Sequence, residues 1–505
     1  MRLTNSQKMR DADNTAIHTS GVPSTWLMTN AAGHVARAAL DLMNTNRKAI
    51  IFCGSGNNGG DGVAAALYLL RRCVDLRVIL VGNRSNLSPD TAEMERRLIE
   101  LGGKLEDFSS LDFEELSDYT GNAGVIIDAI FGIGLSRNVE GLALKAIELT
   151  NRSGVPVVSA DIASGVESDT GRILGAAVRA STTVTFSKAK PGHFAEPGCT
   201  CCGALQIADI GIPKEIADSS EINVHAVMPD DVKLPKRNPI SHKGNYGKLL
   251  IIGGSTGYTG APTLAARAAV RSGAGLVNLG VPDSIYQITA VKNDEAMPFP
   301  LADRDGRLKA DALPVILDRL SNCDICAIGM GLGRGDELTE LVCNLVMESN
   351  KPLIIDADGL YALSQNISAL EHSKKPVVLT PHEGEFLRLG GILTGDRVSD
   401  ARTFAEKHNC VMVLKGHHSI CAFPDGEVYI IPNGTPGMAK GGSGDVLSGI
   451  LAAMMGQFPL KQAVITAAYL HARTGEICAE KFGEYSMTPS DIIENLSTVT
   501  KLLTQ

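Results

Sequence analysis

The chain has 505 residues, 44% of them apolar and 20% charged, a balance that excludes a disordered protein and leaves room for two or three domains with cores of their own. A formal charge of -9 argues against non-specific nucleic-acid binding, which needs a basic stripe, but not against a nucleotide held by helix N-termini. No apolar run approaches the ~20 residues of a membrane span, the N-terminus lacks the apolar core of a secretion signal, and the 11 cysteines lie mostly in apolar segments, so a cytoplasmic protein with reduced thiols and no membrane partner is expected.

After a partly helical N-terminal stretch, the apolar runs KAIIFC, LRVILVG, GVIIDAIFG, PVVSADI and STTVTFS alternate with helix-like segments such as DGVAAALYLLRR and PDTAEMERRLIEL. Short β-rich runs separated by helical patterns predict βαβ units around a parallel sheet. Glycine is high, 53 residues, which fits many tight strand-to-helix turns. Within this half, Cys199, Cys201 and Cys202 have only His193 near them and no second ligand pair at zinc spacing, so a loop is favoured over a zinc site. From about residue 213 to 248 the period breaks, with Pro229, Pro235 and Pro239 among charged, aperiodic sequence. The boundary is placed near residues 220–240, giving domains 1–220 and 235–505. The second repeats the α/β style with GKLLIIGG, GLVNLGVP, CDICAIGMG, KPLIIDAD, KPVVLTP and CVMVLKG.

The first glycine loop follows KAIIFC directly and reads GSGNNGGDG over residues 54–62. Gly54, Gly56 and Gly59 fit G-x-G-x-x-G, but a dinucleotide fold of the ordinary kind wants an acid at the end of the second strand, and Asp75 precedes that strand. NNGGDG is better read as a helix start whose backbone N–H groups approach a phosphate, with Asp61 either a helix cap or a ligand contact. Asp128 and Asp161 each end an apolar strand, where open α/β sheets bind ligands. Carboxylate, amide and hydroxyl oxygens converging there suit a hard cation, and turn capping is the alternative.

CGSGNNGGDG, DAIFGIGL, SADIASGV and KAKPGH followed by ADIGIP resemble, in order, the N-terminal domain of the bifunctional NAD(P)H-hydrate repair enzymes. That resemblance implies a Rossmann-like αβα domain that interconverts the R and S forms of nicotinamide nucleotides hydrated at ring carbon 6. It implies substrate contacts at Asn57, Asn58, Gly59, Gly60 and Asp61, and at Gly132, Ile133, Gly134, Leu135, Ser136, Arg137 and Asn138. It implies a potassium ion at Asn58, Asp128 and Ser164, and acid–base work by Asp161. Ala163 departs from the family's usual proline, a change that loosens the loop but removes no functional atom.

The second half contains no Walker A motif and no protein-kinase signature set. It has instead Gly441-Gly442-Ser443-Gly444-Asp445 leading into the helical segment DVLSGILAAMM. Free N–H groups at such a helix start form an anion hole, and Asp445 within it is placed to take the proton of a hydroxyl attacking phosphorus. A carboxylate there is unfavourable as a mere cap, because it would repel the ligand.

This loop resembles the G-x-G-D element of the ribokinase-like superfamily. Thr380-Pro381-His382-Glu383-Gly384-Glu385 has the acid spacing of that superfamily's metal-positioning N-x-x-E, with His382 at the asparagine position. With GGSTGYTGAP, GMGLGRG, DADGL and TPHEGEF, the region from about Lys248 onward looks like the NAD(P)H-hydrate dehydratase domain. The resemblance implies that ADP phosphorylates the C6 hydroxyl of the S hydrate and phosphate then leaves, giving NADH or NADPH, AMP and inorganic phosphate, with magnesium accompanying the nucleotide. It implies substrate contacts at Ala261, Gly331, His382 and Asp445. The ADP would lie against Lys415, Gly416, His417, His418 and Ser419, and against Thr435, Gly437, Met438, Ala439, Lys440, Gly441, Gly442, Ser443 and Gly444. Lys440 is open to two readings, phosphate neutralisation or a solvated lysine, and a homo-oligomer is expected. A plain small-molecule kinase is disfavoured by His382, and a non-catalytic first domain by oxygen ligands at three strand ends.

Overall fold

The computed structural model describes residues 1–43 and 45–504; no candidate site residue is Asn44 or Gln505. The chain divides into two compact units, Arg2–Val224 and, with Met1, the residues from His225 on. The stretch read as aperiodic holds the helix Lys214–Ser219 and the strand Glu221–Ala226, so the units change within an element rather than in a bare linker. Six- and seven-residue elements are too short to print a period on the sequence.

In the first unit seven strands form one parallel sheet in the order Leu105–Asp107, Asp75–Leu80, Lys48–Cys53, Val125–Ala129, Val157–Ala160, Thr182–Phe186, Ala204–Ala208. Alternate residues of Lys48–Cys53 serve opposite faces: Ile51 and Cys53 join one apolar cluster, Ile50 and Phe52 another. A strand buried on both sides must be apolar at every position, which is why it reads as an unbroken run. Winding reverses between Lys48–Cys53 and Val125–Ala129, and the loops leaving those two strands diverge to open a crevice.

The second unit repeats that logic. Its strands run in the order Val428–Ile431, Ser419–Ala422, Val411–Leu414, Val377–Leu379, Leu353–Ile355, Ile325–Ile328, Lys248–Ile252, Leu276–Pro282, Met297–Leu301. All pairings are parallel except the two that involve Ser419–Ala422. Here winding reverses between Lys248–Ile252 and Ile325–Ile328. The helices Gly260–Arg271 and Ser443–Met455 pack closely, and Gly449 makes this possible, since a Cβ there would run into the Ala265 carbonyl and lie 2.8 Å from the Ala268 methyl. That approach brings Asp445 toward the loops at the reversal.

Candidate active sites

In the first unit the loop after Cys53 turns into the helix Asn57–Leu70, with Gly56 at its N-cap and no side-chain cap. The capping role considered for Asp61 is therefore absent: it sits in the second turn, and its carboxyl lines a cleft of about 940 Å³. Gly59 lies against the Gly54 carbonyl, where a Cβ would collide, so the tight turn is a steric requirement. Asn57, Asn58, Gly132, Ile133, Gly134, Leu135, Ser136, Arg137 and Asp161 line the same cleft. Gly59, Gly60 and Asn138 are not among its lining residues.

At the strand ends Asp128 and Ser164 meet. Asp128 is buried; one oxygen accepts from Ser159 Oγ at 2.7 Å and from the Ser164 N–H at 2.9 Å, the other from the Ile130 N–H at 3.3 Å. The Ser164 hydroxyl accepts from the Phe131 N–H at 2.8 Å. Gly132 abuts Asn58, whose carbonyl oxygen would lie 3.0 Å from a Cβ there, and the Asn58 Nδ2 is buried without a hydrogen-bond partner among the described residues.

Asp161 holds a backbone conformation that L residues rarely adopt, φ 65°, a strain typical of functional positions. Its carboxylate receives the Lys190 ammonium at 2.6 Å and the Thr185 hydroxyl at 3.1 Å. Lys190 is fully buried, and its other two donors go to Thr185 Oγ1 and the Phe186 carbonyl. Burial pushes the Asp161 carboxyl up, but the ammonium outweighs it and holds the group below the usual carboxylate range. His193 closes the frame. Its Nδ1 accepts from the Lys190 N–H, so its Nε2 donates to the Asp161 carbonyl at 2.9 Å, and burial lowers it to about 4, keeping it neutral. With both ring nitrogens spent, His193 is no zinc ligand for the cysteine cluster.

In the second unit Gly442 takes φ 102° at the N-cap of Ser443–Met455, turning the loop into the helix with Asp445 in its first turn. A Cβ on Gly444 would lie 3.3 Å from Lys415 Nζ and 3.6 Å from Asp356 Oδ2, which locates the loop against that ion pair. Lys415 Nζ donates to Asp356 Oδ1 at 2.9 Å and lies 3.7 Å from Glu385, while Ser448 Oγ donates to Asp356 Oδ2 at 2.8 Å. Burial, then the neighbouring Asp356 charge, raises Asp445 to about 7, Lys415 acting against both. Burial also acts to raise Asp356, but Lys415 holds it below its ordinary value.

The other residues expected from the sequence have local partners of their own. Gly331 at φ 68° would place a Cβ 3.1 Å from that of Ala261, so the two residues expected from the sequence to contact substrate are neighbours. His382 caps the helix Glu383–Arg388: its Nδ1 accepts from the Gly384 N–H, and its own N–H donates to Glu385. Its backbone bridges to Lys415. His417 and His418 stack at 4.4 Å, and Gly416 lies against the Arg397 guanidinium. Thr435 caps Pro436–Met438 and bonds Glu484. Lys440 donates to the Tyr485 and Met487 carbonyls at 2.7 and 2.6 Å, so its ammonium ties the loop to residues 485–487.

Against this geometry stand the comparisons with known proteins. Residues 249–498 match the family model for NAD(P)H-hydrate dehydratase, and residues 24–192 the model for the YjeF-related protein N-terminus. The bifunctional NAD(P)H-hydrate repair enzyme of Moorella thermoacetica is 38% identical over all of this chain and 97% of its own length. The chain belongs to the bifunctional NAD(P)H-hydrate repair enzymes. The enzyme of that name from Thermofilum pendens is also 38% identical, again over 100% of this chain and 97% of its own. Among solved structures, a ribokinase-like superfamily protein of Enterococcus faecalis is 27% identical, covers 56% of this chain and 97% of its own, and superposes with a TM-score of 0.50. The C-terminal unit of this repair enzyme is thus ribokinase-like.

Four residues of these sites were not assigned from sequence. Lys190 lay in KAKPGH beside Lys188, and nothing local distinguishes the buried lysine from the one paired at the surface with Asp218 and Glu221. Asp356, in DADGL, and the pairing of Lys415 needed two distant strands to meet. His471, in the helix Leu460–Phe482, is lowered to about 4 by burial, and its Nε2 has no partner among the described residues. Asp13, on the first helix, lines the N-terminal cleft.

Proposed function

We propose that Asp161 and Asp445 are the working groups of the two activities belonging to this family, epimerisation of R and S NAD(P)H hydrates in the N-terminal unit and dehydration of the S hydrate in the C-terminal unit. The observation that carries the reading is the opposite tuning of the two carboxyls. Asp161 is held ionised by a buried ammonium and can accept a proton at any ordinary pH. Asp445 is raised to about 7 at a helix N-terminus, where a base of matched strength meets backbone donors for phosphoryl oxygens.

Hydroxide is a poor leaving group at neutral pH. In the proposed dehydration Asp445 takes the C6 hydroxyl proton as that oxygen attacks the β-phosphorus of ADP and AMP leaves; the phosphorylated oxygen then departs from C6 as inorganic phosphate, and a C5 proton is lost to solvent to restore the C5=C6 double bond. The N–H groups after Gly442 hold the spreading charge. Magnesium would accompany the nucleotide phosphates; Glu385, at the metal-positioning spacing, holds the His382 N–H at 2.9 Å. Potassium would be held in the first unit by Asn58, Asp128 and Ser164, whose carboxylate, amide and hydroxyl oxygens are the donors a hard cation takes. Bound there, it would supply fixed positive charge near the substrate. The candidate nucleotide contacts from Lys415 to Ser419 and from Thr435 to Gly444, and the expected homo-oligomer, belong to this reading. Supplying an equilibrium mixture of R and S hydrates with ADP should restore all of the dihydronicotinamide absorbance; recovery of the S fraction alone at an enzymatic rate would remove the epimerase half.

A further inference from the structure

The helix Ser6–His18 brings a third carboxyl to the epimerase cleft. Asp13 is half-buried, and among the described residues its carboxyl has no hydrogen-bond partner. With Asn57, Asp61, Ile133, Asp161 and Phe186 it lines both the main cleft and an adjoining hollow of about 130 Å³. These six residues form the neck between the two spaces. Beyond the neck the hollow is walled largely by apolar side chains, among them Met9, Ile17, Leu27, Met28 and Ile210. At about 130 Å³ the hollow is of the order of a single ring, and its apolar walls are interrupted by Asp90 and Lys190, so a polar ring with its reacting edge at the neck suits it.

The R and S hydrates differ only at carbon 6, which carries a hydroxyl and is bonded to the ring nitrogen. Exchanging them requires two protonic groups. One must protonate the departing oxygen so that it leaves as water while the ring-nitrogen lone pair forms a C6=N bond. The other must take a proton from the water that adds to the opposite face. Asp161, ionised against Lys190, is equipped only for the second task. We infer that Asp13 is the general acid that complements Asp161, with the hydrated ring seated in the hollow behind the neck. This rests on Asp161 being the acid–base residue proposed above. Each turnover moves one proton from Asp13 to Asp161; exchange with solvent, or the reverse reaction, resets the pair, and no other reactant is consumed.

The charges facing Asp13 fit that division. Burial raises it to about 6, Lys190 acting against burial and Asp161 with it. Asp61 is raised well above its ordinary value by burial and then by the charges of Asp161, Asp13 and Asp90. Two carboxyls in one site with values pushed apart are the arrangement that separates acid from base.

The test is the epimerase pH profile of the full-length enzyme, with thermal melting as a check on folding. Wild-type kcat/KM should fall as pH rises through about 6, because the donor ionises. Asp13→Asn should lower kcat by about 10²–10⁴-fold with little change in KM and abolish that limb, while Asp13→Glu should retain part of the activity with the limb displaced. An Asp13→Asn enzyme of near-normal kcat, or one slowed but with the limb unchanged, would overturn the inference. Asp161→Asn separates the two levels: normal epimerisation in that variant rejects the parent reading, whereas an inactive Asp161→Asn beside a normal Asp13→Asn rejects only Asp13.

Discussion

The two units use the same pair of groups in different wiring. Each pairs a lysine, buried in the first unit and part-buried in the second, with an aspartate at or beside the carboxyl proposed to work there, at 2.6 Å for Lys190 and Asp161 and 2.9 Å for Lys415 and Asp356. In the first unit the ammonium touches the working carboxylate itself and drives its proton affinity down. In the second it is spent on a neighbour, and that neighbour's charge, after burial, pushes Asp445 up to about 7. A shift of one contact therefore separates a carboxyl held below its ordinary range from one raised to about 7. What matters is which carboxyl the lysine reaches, more than whether a lysine is present.

The largest way to break this comparison is to remove the titrating proton acceptor. Asp445→Asn keeps size and a hydrogen bond but cannot accept a proton, so turnover of the S hydrate with ADP should fall by about 10²–10⁴-fold. ADP affinity, followed by calorimetry, should hold or rise because a negative charge near the phosphates has gone. Weakened ADP binding with unimpaired turnover would disprove the assignment.

Lys190→Met attacks the other wiring. It leaves Asp161 buried without its cation, and breaking a buried pair from one side costs about 3–5 kcal/mol, which denaturant unfolding of the first unit should register. The same change lets burial raise Asp161, so epimerisation should acquire a requirement for higher pH. A variant as stable as the wild type with an unaltered profile would show that the pair is not what tunes Asp161.

The smallest effect sharpens the comparison. Dehydration should rise with pH through about 7 as Asp445 ionises and becomes able to accept a proton. Asp356→Asn removes a like charge, so Asp445 should ionise more readily and the rising limb should move to lower pH. If the limb stays in place, or moves upward, the charge of Asp356 is not what lifts Asp445.

Much of this is legible in the sequence. Strands buried on both faces show as runs such as KAIIFC and KPLIID, and loops that must approach a phosphate show as glycine clusters, because a Cβ at Gly59 or Gly442 has no space or no allowed conformation. Asp61 shows the limit. A helix cap and a cleft carboxyl one turn further on look alike in NNGGDG, because the choice depends on where the helix begins, here at Asn57.

By itself the sequence determined the two α/β series, the positions of their glycine loops and the family they resemble, because these depend on neighbours a few residues apart. Which of Lys188 and Lys190 is buried, which aspartate Lys415 reaches, and that Asp13 and Asp161 line one cleft were decided only by tertiary structure. Proton affinities depend on burial and on charges a few ångströms away, and those distances are set by strands and helices that are remote in the chain.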